Sequence, residues 1–118
     1  MNKVLLSGRL TADPELKQTN SGKSYCFFTL ACTKFTNNEQ GADYVSCVAW
    51  ERTADNICRY IRKGGRINVV GKLQTRKNNN NVYIMEVVAE SVEFIDTKPA
   101  EQKVPRIEDF NGDIDIPY

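Results

Sequence analysis

The stretch "RTADNICRYIRKGG", residues 52–65, decides the fold, because here the apolar residues leave strand periodicity and fall at helical spacing. Ile57, Cys58 and Ile61 share one helical face. Thr53 offers an N-cap hydroxyl, basic residues fill the last turn, and Gly64-Gly65 supplies a stop. On either side the sequence is strand-like. Three apolar stretches precede the helix: "KVLLSGRL", "SYCFFTLACTKF" (24–35) and "DYVSCVAW" (43–50). Two follow it: "RINVVGKL" (66–73) and "VYIMEVVAESVEFI" (82–95). Polar segments separate them. "ADPE" and "TNSGK" read as turns, and "TNNEQGA" and "QTRKNNNN" as loops with nothing to place in a core.

A short helix lodged between the third and fourth strands gives the order β-β-β-α-β-β. That is the chain order of the OB-fold, a five-stranded Greek-key barrel whose face and loops bind oligonucleotides. The expected class is all-β, with residues 1–97 forming the barrel. Residues 98–107, "KPAEQKVPRI", read as a short polar linker, and residues 108–118 as a disordered acidic tail. The net charge of +1 conceals this division. Residues 1–97 stand at +3, with 13 Lys/Arg against 10 Asp/Glu, and residues 98–118 at −2, with 3 against 5. A weakly basic body with an acidic tail is suited to two different partners.

Composition removes several chemistries. Histidine is absent, which excludes Ser-His and Cys-His nucleophiles and every zinc site that needs imidazole. Cys26, Cys32, Cys47 and Cys58 contain no C-x-x-C pair, and their spacing speaks against a four-thiolate zinc site. They read as small buried hydrophobes in a reducing compartment. Asp13, Glu15, Glu51, Asp55 and Glu86 form no metal-binding motif; Asp13 reads as a turn residue with Pro14, and Asp55 as a first-turn helix acid. Neither a catalytic residue nor a metal or cofactor is expected. "MNKVLLSGRL" meets Gly8 and Arg9 before a signal-peptide core can form, and no apolar run approaches membrane-spanning length, so a cytoplasmic location is expected.

Strand parity places Tyr44, Ser46, Val48 and Trp50 on one face of the third strand, and Val45, Cys47 and Ala49 on the other. Small apolar residues suit a barrel interior, which leaves Tyr44 and Trp50 outside. Phe35 ends the second strand and Tyr83 begins the fifth. Lys34, Arg52, Arg62, Lys63, Lys72, Arg76 and Lys77 surround these aromatics. Aromatic platforms among bases are what single-stranded nucleic acid requires, since unpaired bases expose π-faces and the backbone carries charge. A body at +3 cannot work through phosphates alone, so stacking is the expected main contribution, at about 1–3 kcal/mol per base. Residue content by itself supports equally the blander reading, in which these aromatics are half-buried packing residues and the bases an ordinary solvated surface.

The sequence resembles the bacterial and phage single-stranded DNA-binding protein family. The stretches that carry the resemblance are "MNKVLLSGRLTADPELKQTNSG", "DYVSCVAW", "YIRKGGRINVVGKLQTRK" and "EVVAESVEFI". It implies an OB-fold, a homotetramer, sequence-independent binding of single-stranded DNA and no catalysis. It also implies a nucleoid-associated role with replication, recombination and repair proteins as partners. Phe35, Tyr44 and Trp50 fall at the family's stacking positions, and Arg76 and Lys77 at its basic hairpin pair. The chain departs from the family at Asn78, where an aromatic is frequent, and at Val45 and Ser46, where histidine and arginine are common. The C-terminal "DFNGDIDIPY" matches the family's partner-docking tip at Asp113, Asp115, Ile116, Pro117 and Tyr118, with Ile114 where an acid is usual and Tyr118 for Phe. Such a tip offers an aromatic anchor and acids to a basic, apolar pocket. The other function weighed is an OB-fold protein-interaction adaptor with little or no DNA binding.

Overall fold

The computed structural model describes residues 1–36 and 39–96. The linker and tail expectations, including those for Asp113, Ile114, Asp115, Ile116, Pro117 and Tyr118, lie outside the described residues. The elements are β1 (Val4–Leu10), β2 (Lys17–Gln18), β3 (Ser24–Thr36), β4 (Glu39–Trp50), α1 (Glu51–Tyr60), β5 (Arg66–Lys77) and β6 (Tyr83–Asp96). Five long strands and one helix appear in the expected order, and two-residue β2 adds a short edge beside Tyr25 and Ser24. The sheet runs β1-β5-β6-β4-β3-β2, and β1 also pairs with β3. That last pairing, Arg9 opposite Ala31 and Leu10 opposite Leu30, closes the five long strands into a ring. The β4–β6 contact is parallel and all other pairings are antiparallel. This pairing agrees with an OB-fold.

Alternation decides which side chains fill the ring. Cys26, Phe28 and Leu30 of β3, Cys47 and Ala49 of β4, Ile67 and Val69 of β5, and Val87, Ala89 and Phe94 of β6 are all buried in one cluster. Helix α1 plugs it with Ala54 and Ile57, and Ile61 follows just past the helix end. Each fully buried isoleucine contributes roughly 1.5–3 kcal/mol. Val48 departs from the parity expectation. It shares a face with Tyr44 and Trp50 yet is only 2% exposed, because it lies between Phe27 of β3 and Val88 of β6 on that face.

The helix boundaries also differ from expectation. Strand β4 runs directly into α1, so Trp50 occupies the cap position without a side-chain cap bond, and Thr53 lies inside the helix. Glu51, not Asp55, is the first-turn acid, and it takes the left-handed conformation (φ 50°) that a strand-to-helix junction without a loop demands. Asp55 instead accepts a bond from Ser24 (3.1 Å). The helix ends at Tyr60, and Gly64-Gly65 serves β1: Gly64 N–H donates to Leu10 O (2.8 Å), and Leu10 N–H to Gly65 O (2.9 Å).

Two segments read as loops are largely strand. The β3–β4 ladder continues to Thr36 opposite Glu39, and β5 runs through Lys77, so Gln74, Thr75, Arg76 and Lys77 belong to a strand. Their polarity is accounted for by cross-strand partners in place of a core: Gln74 with Glu86, Arg76 with Glu86, and Lys77 with Tyr83. In the second segment the turn falls on the asparagines Asn78–Asn81. Asn78 Oδ1 accepts from the N–H groups of Asn80 (2.8 Å) and Val82 (3.1 Å), and Asn81 is left-handed at φ 66°.

Candidate nucleic-acid interface

The outer face of β3 and β4 carries the aromatic residues that alternation keeps out of the core. Tyr25 and Phe27 interleave with buried Cys26 and Phe28. The register sets Tyr25 opposite Trp50 and Phe27 opposite Val48. Tyr25 lies against Trp50 at 5.2 Å between ring centroids with a 34° tilt, and edge-on to Phe27 at 5.6 Å. Phe27 and Trp50 remain 45% and 40% exposed. The guanidinium of Arg76 extends the row, its carbon 5.4 Å from the Phe27 centroid. One face thus bears a row running Arg76, Phe27, Tyr25, Trp50.

Glu86 fixes the end of that row. It is the one charged residue buried among those described, at 4% exposure. Its Oε2 accepts from Arg76 Nε and from Gln74 Nε2, each at 2.8 Å, and its Oε1 from Arg76 Nη2 at 3.3 Å. The bond to Glu86 pushes the Arg76 pKa above the usual arginine value, so the cation persists at any ordinary pH. Beside the row lies a cleft of about 400 Å³ lined by Phe27, Thr29, Ser46, Arg76 and Glu86, and by Thr11 to Asp13 of the β1–β2 connection. Its hydroxyls and aromatic wall can meet the edge and the face of a planar heterocycle.

The expected site residues divide into groups. Trp50 and Tyr44 share the aromatic face, Tyr44 at 69% exposure. Phe35 is placed by its backbone in β3, opposite Gln40. Tyr83 and Lys77 pair across the β5–β6 ladder, with Lys77 Nζ 5.2 Å from the Tyr83 ring, but on the ladder face opposite to Arg76. Lys72 lies on the Arg76 face opposite Val88. Lys34 pairs with Asp43 (2.9 Å) on the β3–β4 arm. Arg52 and Lys63 are exposed. Arg62 is engaged elsewhere: its Nη1 donates to the carbonyls of Cys58 (2.8 Å) and Ile61 (3.0 Å), closing the C-terminal end of α1.

Tyr25, Phe27 and Glu86 join this face without having been singled out from the sequence. The signal for the first two was strand parity in "SYCFFTLAC", which sets Tyr25 and Phe27 on the face opposite to Cys26, Phe28 and Leu30. Glu86 needed the cross-strand register, which hydropathy does not carry.

The chain matches the single-strand binding protein family over residues 1–95. It belongs to that family. It is 44% identical to a single-stranded DNA-binding protein B of Bacillus subtilis, over 86% of this chain and 96% of the relative. It is 40% identical to a single-stranded DNA-binding protein of Halalkalibacterium halodurans, over 95% of this chain and 71% of the relative. A single-stranded DNA-binding protein of Oceanobacillus iheyensis is 41% identical, over 86% and 67%. The family consists of binding proteins, not enzymes. Among the described residues no three His, Cys, Asp or Glu side chains converge as a metal site, and no helix is long and apolar enough to cross a membrane.

Proposed function

We propose that this chain binds single-stranded DNA without sequence preference, stacking bases on its outer aromatic face and drawing the phosphates to the surrounding bases. The relatives' names support this, and the observation that carries it is the exposed row Arg76, Phe27, Tyr25, Trp50 on one continuous face. Tyr44 extends the stacking surface along the face of the row, and Tyr83 and Phe35 are further stacking residues in this reading. Lys34, Arg52, Lys63, Lys72 and Lys77 are the remaining bases for the phosphates in this reading, while Arg62 holds the helix end. Stacking at about 1–3 kcal/mol per base lets a weakly basic body bind DNA. Trp50 is the only tryptophan, so titration with oligo(dT) is expected to quench its fluorescence. A flat titration of folded protein rules out Trp50 as a stacking residue and removes the main support for the reading.

The acidic tip, residues 108–118, recruits replication, recombination and repair proteins in this reading, and the protein works as a homotetramer at the nucleoid in the cytoplasm. Sedimentation of the intact chain tests the assembly, and partner capture with and without residues 109–118 tests the tip.

A further inference from the structure

Three ion pairs are formed among the described residues, and one is built unlike the others. Lys3–Glu90 and Lys34–Asp43 leave both partners substantially in solvent, at 59% and 39%, and at 51% and 62%. In Arg76–Glu86 the acid side chain is 3% exposed. Glu86 takes Arg76 by Nε and Nη2, fixing the guanidinium plane, while the guanidinium carbon sits over the Phe27 ring, 5.4 Å from its centroid. An arginine that recognises a phosphate uses its free fork and unbalanced charge. Here a buried carboxylate already takes the Nε and Nη2 edge and balances the charge, with Nη1 left outside the pair. What stays open is the flat, delocalised and weakly hydrated guanidinium face, which is suited to stacking.

We propose that Arg76 is a platform on which a nucleobase stacks, not a phosphate contact, with Phe27 as its support and Glu86 as the positioning residue that withholds its charge. This rests on the outer face being the single-stranded DNA interface. A row of rings then ends on a guanidinium whose contribution depends on planarity and not on net charge. That separates two quantities usually lost together: affinity, which depends on the platform, and salt dependence, which counts phosphates neutralised.

Each phosphate contact on a single strand adds about 0.7 to the slope of log affinity against log salt. The test is the anisotropy of labelled oligo(dT) with the full chain from about 50 to 200 mM salt. Arg76→Lys keeps the charge but loses the plane, and is expected to weaken binding about tenfold with the slope unchanged. Arg76→Gln is expected to leave the slope unchanged as well. Glu86→Gln frees the guanidinium for phosphate and is expected to steepen the slope by about 0.7. Phe27→Leu, at a half-exposed position and checked to be folded, is expected to weaken binding about tenfold. Full affinity in Arg76→Lys or in Phe27→Leu overturns the proposal. So does a slope lowered by about 0.7 in Arg76→Gln, or an unchanged slope in Glu86→Gln. If the parent chain fails to bind oligo(dT), the interface reading itself falls; if the parent binds and the slopes go the wrong way, only the role of Arg76 does.

Discussion

The two long hairpins of the ring solve the same problem in different ways. The β3–β4 ladder runs in unbroken register from Tyr25 opposite Trp50 to Thr36 opposite Glu39. The β5–β6 ladder shifts register twice, between Arg66 and Ile67 and between Val70 and Gly71. Each arm carries a glycine and an ion pair. A Cβ on Gly41 in β4 would make only ordinary contact with the Lys34 side chain, whereas one on Gly71 would run into the carbonyl oxygen of Val88. Lys34–Asp43 is exposed on both sides, whereas Glu86 of the other pair is buried. One arm is specified by the repetition of its register. The other depends on a few singular contacts, and these hold the end of the aromatic row.

The glycines give the sharpest test. Gly71→Ala drives a methyl group into backbone that cannot yield, and is expected to cost about 3 kcal/mol in urea unfolding. Gly41→Ala meets only the far end of the Lys34 side chain at 3.9 Å, and is expected to stay within about 0.5 kcal/mol of the parent or gain slightly. Similar costs at the two positions would break the comparison.

Alkaline pH probes the regular arm from inside. Cys26 of β3 and Cys47 of β4 are buried, and burial first, with nearby charges second, pushes each thiol from 9.0 to about 12. Between those values the unfolded chain releases protons that the folded chain retains, so stability is complete below pH 9 and declines as pH rises toward 12. The expected loss is about 1.4 kcal/mol per thiol at one pH unit above 9. Cys26→Ala/Cys47→Ala protein should lose this part of the decline. An equally steep decline without the two thiols would place the alkaline weakness elsewhere.

The order of elements was legible because only residues 52–65 break the strand pattern, and a change of period survives without tertiary information. Element ends were not. Thr53 looks like a cap in isolation, but β4 feeds α1 directly and leaves no room for one. Gln74 to Lys77 look like loop because hydropathy registers the missing core and cannot register partners across a ladder. The site followed the same division. Trp50 and Tyr44 could be read from parity within one strand, and both lie on the aromatic face. Tyr25 and Phe27 were hidden in a run apolar enough to pass entirely for core. Glu86 and its hold on Arg76 depend on register, a property of two strands together.

The ion pairs carry the comparison to its finest scale. Glu86→Ala strips Arg76 and Gln74 of their common acceptor, and is expected to cost about 1–3 kcal/mol, toward the lower end because Arg76 is exposed enough to rehydrate. Asp43→Ala is expected to cost less than about 0.5 kcal/mol, since Lys34 simply returns to water. Salt separates them further. Exposed charges are screened within about 3 Å at 1 M, so the small Asp43 effect should vanish there. The Glu86 effect should persist, because most of it is the loss of hydrogen bonds in a place that counterions do not enter. If unfolding in high salt erases the Glu86→Ala penalty, then the carboxylate acts as a surface charge, and the ion pairs no longer distinguish the two arms.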